Sequence, residues 1–289
     1  MSQTYTDTTA HETGFSSADL PGKGQSADKM QGHWVLARVG KRVLRPGGIE
    51  LTRRMLDALA IGPGDDVVEF APGLGATAGI VLQRHPDSYC AVERDPVAAK
   101  LMRRKFAASN VVQGGAEDSG LPAACASVVY SEALLSMQVP QQKSRIIAEA
   151  RRLLREGGRY GIQELCLLPD DISAGLRQQI QADMSKEIHV GVQPLCPHEW
   201  VRLFQENGLR VTWIGTAPMH LLEPGRLLRD EGIAGGLRIA FRAASNPALG
   251  KRILAMRRLF HKYSQHLGAI SLVGECLPPV EEEYLGAPS

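Results

Sequence analysis

Glu69 and Glu93 each close a short apolar run of this 289-residue chain, and each stands just before a turn, which makes them the residues best suited to meet a ligand. The first run is Asp66-Val67-Val68-Glu69-Phe70, followed by Ala71-Pro72-Gly73-Leu74-Gly75-Ala76-Thr77-Ala78. Val67, Val68 and Phe70 suit a parallel strand covered on both faces. Ligands of an open α/β sheet bind outside the carboxyl ends of its strands, so a carboxylate there faces a ligand rather than the core. Gly73 and Gly75 let the backbone approach that ligand closely.

The second run, Tyr89-Cys90-Ala91-Val92-Glu93, ends on an acid twenty residues beyond Gly73. An acid at that spacing accepts hydrogen bonds from both hydroxyls of a ribose and repels a 2′-phosphate. NADP is therefore disfavoured, whereas NAD and S-adenosylmethionine both remain. A dinucleotide fold offers GxGxxG to cradle a pyrophosphate; here Ala78 takes the place of the third glycine. Glu69 decides more, because an anion repels a pyrophosphate and attracts a methionine ammonium and a sulfonium.

Glu69-Phe70-Ala71-Pro72-Gly73-Leu74-Gly75, Ala91-Val92-Glu93-Arg94-Asp95-Pro96 and Gly114-Gly115-Ala116-Glu117-Asp118 resemble, in order and spacing, the first three motifs of the Rossmann-like (class I) S-adenosylmethionine-dependent methyltransferases. The resemblance is to the small-molecule type and covers about residues 50 to 165 well. It implies that Glu69 lies near the methionine amino group and that Ala71, Pro72, Gly73 and Gly75 line the methionine and ribose side. It further implies that Glu93 holds the ribose hydroxyls, that Arg94 lies against the adenine face, and that Gly115, Ala116 and Glu117 border the adenine, with Ser131 at the end of the fourth strand. Two departures stand out. Ala71 replaces a usual glycine, and Gly115 stands where many relatives have an Asp that accepts from the adenine amino group, leaving that contact to Glu117 or Asp118.

The elements that must position these residues alternate. Strands are expected at 66–70, 89–93, 111–113, 127–131 and 159–165, with helices at 76–84, 96–106 and 141–155, the last stopped by Gly157-Gly158. This predicts a doubly wound, mostly parallel seven-stranded α/β sheet with right-handed crossovers, completed by strands at 209–214 and 269–274. Two helices over 29–60 precede it as a lid, with Met30, His33 and Trp34 as candidates to touch ligand. Helical insertions follow strands five and six, at 166–195 and 217–266, where loops on a rigid scaffold concentrate function. The second ends in a helix with Leu249, Ile253, Met256, Phe260, Tyr263 and Leu267 on one stripe and Lys251, Arg252, Arg258 and Lys262 on the other. Such a helix can lie on a membrane surface or bind a partner; the commoner arrangement packs the stripe on the sheet and solvates the charges. Residues 1–28 are polar and predict a disordered tail before a single domain over 29–289.

With 33 Lys and Arg against 31 Asp and Glu, the net charge of +2 gives no global attraction to nucleic acid. Five scattered cysteines without a CxxC pair predict neither a disulfide framework nor a metal site; Cys90 and Cys125 are expected in the sheet core, and Cys166 with Cys196 is the one conceivable thiol pair. Nothing approaches a membrane span or a signal pattern, which predicts a cytoplasmic protein.

Methyl transfer from a sulfonium is an in-line displacement in which the protein mainly aligns donor and acceptor. An acceptor that must lose a proton also needs a base; Glu164, Glu132 and His189 are the candidates. The reading is methyl transfer to an O, N or C centre of a small, partly apolar metabolite. Alternatives are a non-catalytic adenosylmethionine-binding regulator, an RNA methyltransferase using Arg103, Arg104, Lys105, Arg151 and Arg152, and an NAD-dependent oxidoreductase, which would need a Tyr-x-x-x-Lys pair that is not found.

Overall fold

A computed structural model describes residues 20–21, 24, 26–41, 45–107, 109–219 and 222–277. Strands β1 (Asp66–Phe70), β2 (Ser88–Glu93), β3 (Asn110–Gln113), β4 (Ala126–Glu132), β5 (Leu154–Leu167), β6 (Leu209–Pro218) and β7 (Leu267–Cys276) form one sheet in the order β3-β2-β1-β4-β5-β7-β6. β7 runs antiparallel to both its neighbours and the other pairings are parallel. The expected doubly wound α/β sheet is the observed one. Strand order reverses beside β1, the point where such sheets open a crevice.

Helices α1 (Gly32–Arg38) and α2 (Gly48–Ala58) precede the sheet; α3 (Ala78–Leu82), α4 (Pro96–Lys105) and α5 (Pro140–Leu153) make the crossovers. Helix α4 starts where the sequence dictates. Asp95 accepts from the amides of Val97 at 2.8 Å and Ala98 at 2.9 Å, and Pro96 takes the first position, where no amide is needed. Helix α5 ends at Leu153 because Leu154 is already extended, so Gly157-Gly158 lies inside the long β5 instead of stopping the helix. β1 is buried through Val67, Val68 and Phe70, as its apolar run requires.

The insertions are α6 (Ala174–Ile188) with α7 (Pro197–Glu206) after β5, and α8 (Pro224–Ser245) with α9 (Pro247–Lys262) after β6. The apolar stripe of α9 meets the sheet only through Leu165 and Leu167 of β5 and Leu267 of β7, and packs mainly against other helices. Met256 and Phe260 join Val35 of α1, Met184 of α6 and Ile239 of α8 in a second core. The reason is occupancy, since α2 and α7 already lie on β6 and β7. Nor are all its charges solvated, because Arg252 is buried against His189. Cys90 and Cys125 lie at the margin of the core, half-buried, and all five cysteines are free.

Most of the expected tail lies outside the described residues. Within its described part Leu20 is buried against Ala37 and Leu101, with Trp34 and Leu74 packed beside them.

Candidate functional site

The register sets Glu69 opposite Ala91 and Phe70 opposite Val92, so the carboxyl ends of β1 and β2 lie side by side. Past them the chain turns: Ala71, at φ 53°, donates its amide to Val92 O at 2.9 Å. The left-handed backbone at Ala71 costs about 1–2 kcal/mol that glycine would not, so the departure from glycine is more than an added methyl group. Gly73 continues the turn at φ 56°. A Cβ at Gly73 would meet no protein atom within 4 Å; it would project into the open cleft. Gly75 differs, as its Cβ would collide with Met102 Sδ at 2.5 Å, so its small size serves the packing of α4.

Glu93 closes this turn from the neighbouring strand. Its Oε2 accepts from the Gly73 amide at 3.0 Å and its Oε1 from the Asp95 amide at 2.9 Å. Burial raises its pKa, and these donors oppose the rise. Glu69 is buried more completely, accepts from the Tyr89 hydroxyl, and burial pushes its pKa up to about 7.

Glu132, at the end of β4, collects three partners. Arg45 Nε lies 3.0 Å from its Oε1, Thr52 Oγ1 donates to the same oxygen at 2.5 Å, and Thr77 donates to Oε2. Arg45 is buried, lines the cleft, and its second terminal nitrogen, Nη2, has no hydrogen-bond partner. Glu117 is similarly half-used: Oε1 pairs with Arg94, while the buried Oε2 has none.

These groups border one cleft of about 610 Å³, with Glu69, Glu93, Arg45 and Glu117 in its polar wall and Trp34, Leu134, Met137 and Val190 among its apolar lining. His33 and Trp34 of α1 contribute to it, whereas Met30 belongs to the second core. Burial pulls the pKa of His33 down to about 4 against the opposing charge of Asp95, so its ring is neutral near pH 7.

Of the residues singled out from sequence, the cleft brings together Glu69, Ala71, Pro72, Gly73, Glu93, Arg94, Ala116, Glu117 and Glu132. Gly75, Gly115, Ser131, Glu164 and His189 are outside its lining. Ser131 is buried with its hydroxyl 3.0 Å from that of Tyr160. Glu164 is buried and accepts from the amides of Leu134, Leu135 and Ser136 at 2.7–2.9 Å, so it caps a turn of the cleft wall from behind. His189 accepts at Nε2 from Arg252 Nη1, 2.6 Å away. Arg45 was the residue that sequence reasoning missed. Its one signal is a lone arginine before Pro46-Gly47-Gly48, and nothing local says that it folds back onto Glu132.

The basic residues of the RNA alternative are partly spent within the fold: Arg103 donates to Val111 O, Lys105 to Leu74 O and Gly75 O, and Arg152 to Glu149 and Leu121 O. Among the described residues no cluster of His, Cys, Asp and Glu could hold a metal ion, and no helix is long and apolar enough to cross a membrane.

A methyltransferase-domain family model matches residues 68–162, the segment that carries β1 to β5. An uncharacterized protein of Haemophilus influenzae is 30% identical over 214 residues, 72% of this chain and 83% of that one. An uncharacterized methyltransferase of Synechocystis is 28% identical over 134 residues, 46% of this chain and 63% of that one. Among solved structures, the geranyl diphosphate C-methyltransferase of Streptomyces coelicolor, in complex with Mg2+, geranyl diphosphate and S-adenosyl-L-homocysteine, shares the fold with a TM-score of 0.58 at 14% identity, covering 79% of each chain. With the strand order and the glycine turn between two strand-end acids, the family model and the methyltransferase relative place the chain in the class I S-adenosylmethionine-dependent methyltransferases. It is a methyl-transferring enzyme of that class.

Proposed function

We propose that the cleft takes S-adenosylmethionine at its polar wall and transfers the methyl group to an O, N or C centre of a small, partly apolar metabolite. One observation carries this reading: a single cavity of about 610 Å³ joins four polar groups suited to the cofactor to an apolar wall of Trp34, Leu134, Met137 and Val190. That volume lies within the ~300–1,000 Å³ typical of small-molecule sites.

The residues present fit the cofactor group by group. Glu93 offers its remaining lone pairs to the ribose hydroxyls, with Gly73 leaving room beside it. The free Oε2 of Glu117 supplies the acceptor for an adenine amino group that Gly115 lacks, and Arg94 and Ala116 border the ring. Glu69 matches the methionine ammonium, and the unpartnered nitrogen of Arg45 matches the methionine carboxylate, giving the amino-acid end one opposite charge for each of its own. The bound cofactor supplies an electrophilic methyl group; the protein supplies alignment and exclusion of water, which accounts for as much as ~7–11 kcal/mol of a barrier.

Glu132 is the one base candidate that lines the cleft, and Arg45, Thr52 and Thr77 already engage it. A nucleophile with its own available lone pair, such as an amine or an ionised oxygen, suits this wall best. The geranyl diphosphate enzyme, whose solved complex holds geranyl diphosphate, an apolar chain on a charged head, supports the partly apolar class by analogy of fold alone.

The test is incubation with methyl-labelled S-adenosylmethionine and either a small-molecule extract or total RNA. Label in the extract supports the reading. Label in RNA would replace it with the RNA alternative, and cofactor binding without label in either would overturn the small-metabolite assignment for that extract.

A further inference from the structure

Helix α8 is two helices joined at Gly232, whose φ of 73° and ψ of 171° only glycine adopts readily. The first half is anchored inward. Arg226 pairs with Glu50 at 2.8 Å, Asp230 accepts from the Ile49 amide at 3.2 Å, and the buried Lys41 ammonium lies 3.5 Å from Asp230 and 3.8 Å from Glu231. In an unbroken helix Ile233, Leu237 and Phe241 would continue the stripe of Arg226 and Asp230 and face inward with them. The break at Gly232 turns them out. They are 74%, 67% and 73% exposed, with the exposed Ala240 and Ala244 on the same face. Leu228, 48% exposed, extends the patch across the break, since its Cδ2 would lie 3.0 Å from a Cβ at Gly236.

Ile239, on the opposite side of the second half, already supplies its contact with the core. The outward stripe therefore contributes nothing to the second core, and four large apolar side chains on one surface call for a partner.

Charge says which. Residues 224–262 hold nine of the chain's 33 Lys and Arg but two of its 31 Asp and Glu; Arg226, Arg252, Arg257 and Lys262 are engaged by Glu50, His189, Glu223 and Asp183, while the two acids, Asp230 and Glu231, have fully buried side chains turned to Lys41. Arg229 on α8, and Lys251 and Arg258 beside the exposed Leu254 on α9, are at the surface. An apolar stripe bordered by cations, on a helix unable to span a bilayer, is the pattern of an interfacial helix on anionic lipid.

We infer that the second half of α8, with the outer face of α9, docks on an anionic membrane surface. Ile233, Leu237 and Phe241 enter the boundary between headgroups and acyl chains while the arginines and lysines meet lipid phosphates. Because α9 packs on α1, whose His33 and Trp34 line the cleft, docking sets the catalytic cleft close to the bilayer.

The experiment is sedimentation of the full chain with vesicles of phosphatidylcholine, alone or mixed with phosphatidylglycerol, at low and high salt. Binding to the mixed vesicles at least about tenfold tighter than to phosphatidylcholine, weakened by salt, is expected. Leu237→Ser with Phe241→Ser should abolish it while thermal unfolding and S-adenosylhomocysteine binding stay unchanged. Should that pair lower the unfolding midpoint, Lys251→Glu with Arg258→Glu, both exposed, makes the same comparison, and each should weaken binding about fivefold or more. Absence of wild-type binding to anionic vesicles, or equal binding by all these variants, overturns the inference. A dimer in light scattering that Leu237→Ser with Phe241→Ser dissolves, without vesicle binding, overturns it in favour of a second copy of the chain.

Discussion

The Glu93 carboxylate accepts from the Gly73 amide at 3.0 Å across two neighbouring strands, so the acid that would hold a ribose also holds the turn on which the ribose would rest. Glu93→Ala removes both that clamp and the one to Asp95. Affinity for S-adenosylhomocysteine should fall by at least about 30-fold, the loss of about 2 kcal/mol expected of hydrogen bonds to a charged group, measured by calorimetric titration. An affinity within threefold of wild type would remove Glu93 from the site.

Gly73→Val places a side chain where the fold leaves open space and the cleft needs it. Cofactor binding should be lost while the folded state survives, destabilised only by the strain of a β-branched residue at φ 56°. Gly75→Val should do the reverse, lowering the unfolding midpoint through collision with Met102 and Phe106. Equal unfolding midpoints for the two variants would contradict this division.

Arg45 and Glu69 make a separable prediction about the amino-acid end of the cofactor. Arg45→Met should weaken S-adenosylhomocysteine about tenfold or more and leave 5′-methylthioadenosine, which lacks the ammonium and carboxylate, unchanged. If both ligands weaken equally, Arg45 acts on the fold rather than on the cofactor.

Burial holds Glu69 protonated up to about pH 7 in the free protein, well above the ordinary carboxylate value of 4.5. Between those values the folded state binds a proton that the unfolded chain has released, so this group's contribution to stability is full below pH 4.5 and is lost as pH rises to about 7. A bound ammonium favours the ionised form and reverses the preference. Cofactor affinity should therefore rise with pH up to about 7, by as much as about tenfold per unit, and Glu69→Gln should flatten that slope. A slope that survives in Glu69→Gln would assign it to another group.

Glu164→Ala should show itself as a loss of stability. It orphans the amides of Leu134, Leu135 and Ser136, the last two buried, at about 1–3 kcal/mol for each buried amide left unpaired. A thermal melt unchanged by the substitution would return Glu164 to consideration as a base.

The sheet, its order of helices and strands, and the acids at the ends of β1 and β2 were legible because they rest on local rules: apolar runs, acids at their ends and glycines at the turn that follows. The base candidates were not, because a Glu at a strand end has the same sequence signature whether it faces a cleft or, like Glu164, turns back to cap three amides. Ser131 reads as a cleft residue from its position yet spends its hydroxyl on Tyr160.

By itself the sequence determined the two carboxylates, their spacing and the glycine turn between them, since short-range hydrogen bonding and backbone freedom settle those features within a few residues. The tertiary structure alone decided that Arg45 folds back onto Glu132 with one nitrogen to spare, and that Glu117 keeps one oxygen free. It also decided that a break at Gly232 turns Ile233, Leu237 and Phe241 away from the core that their spacing would have them join. Each depends on which distant side chains have already satisfied a charge or filled a space, and no local pattern carries that information.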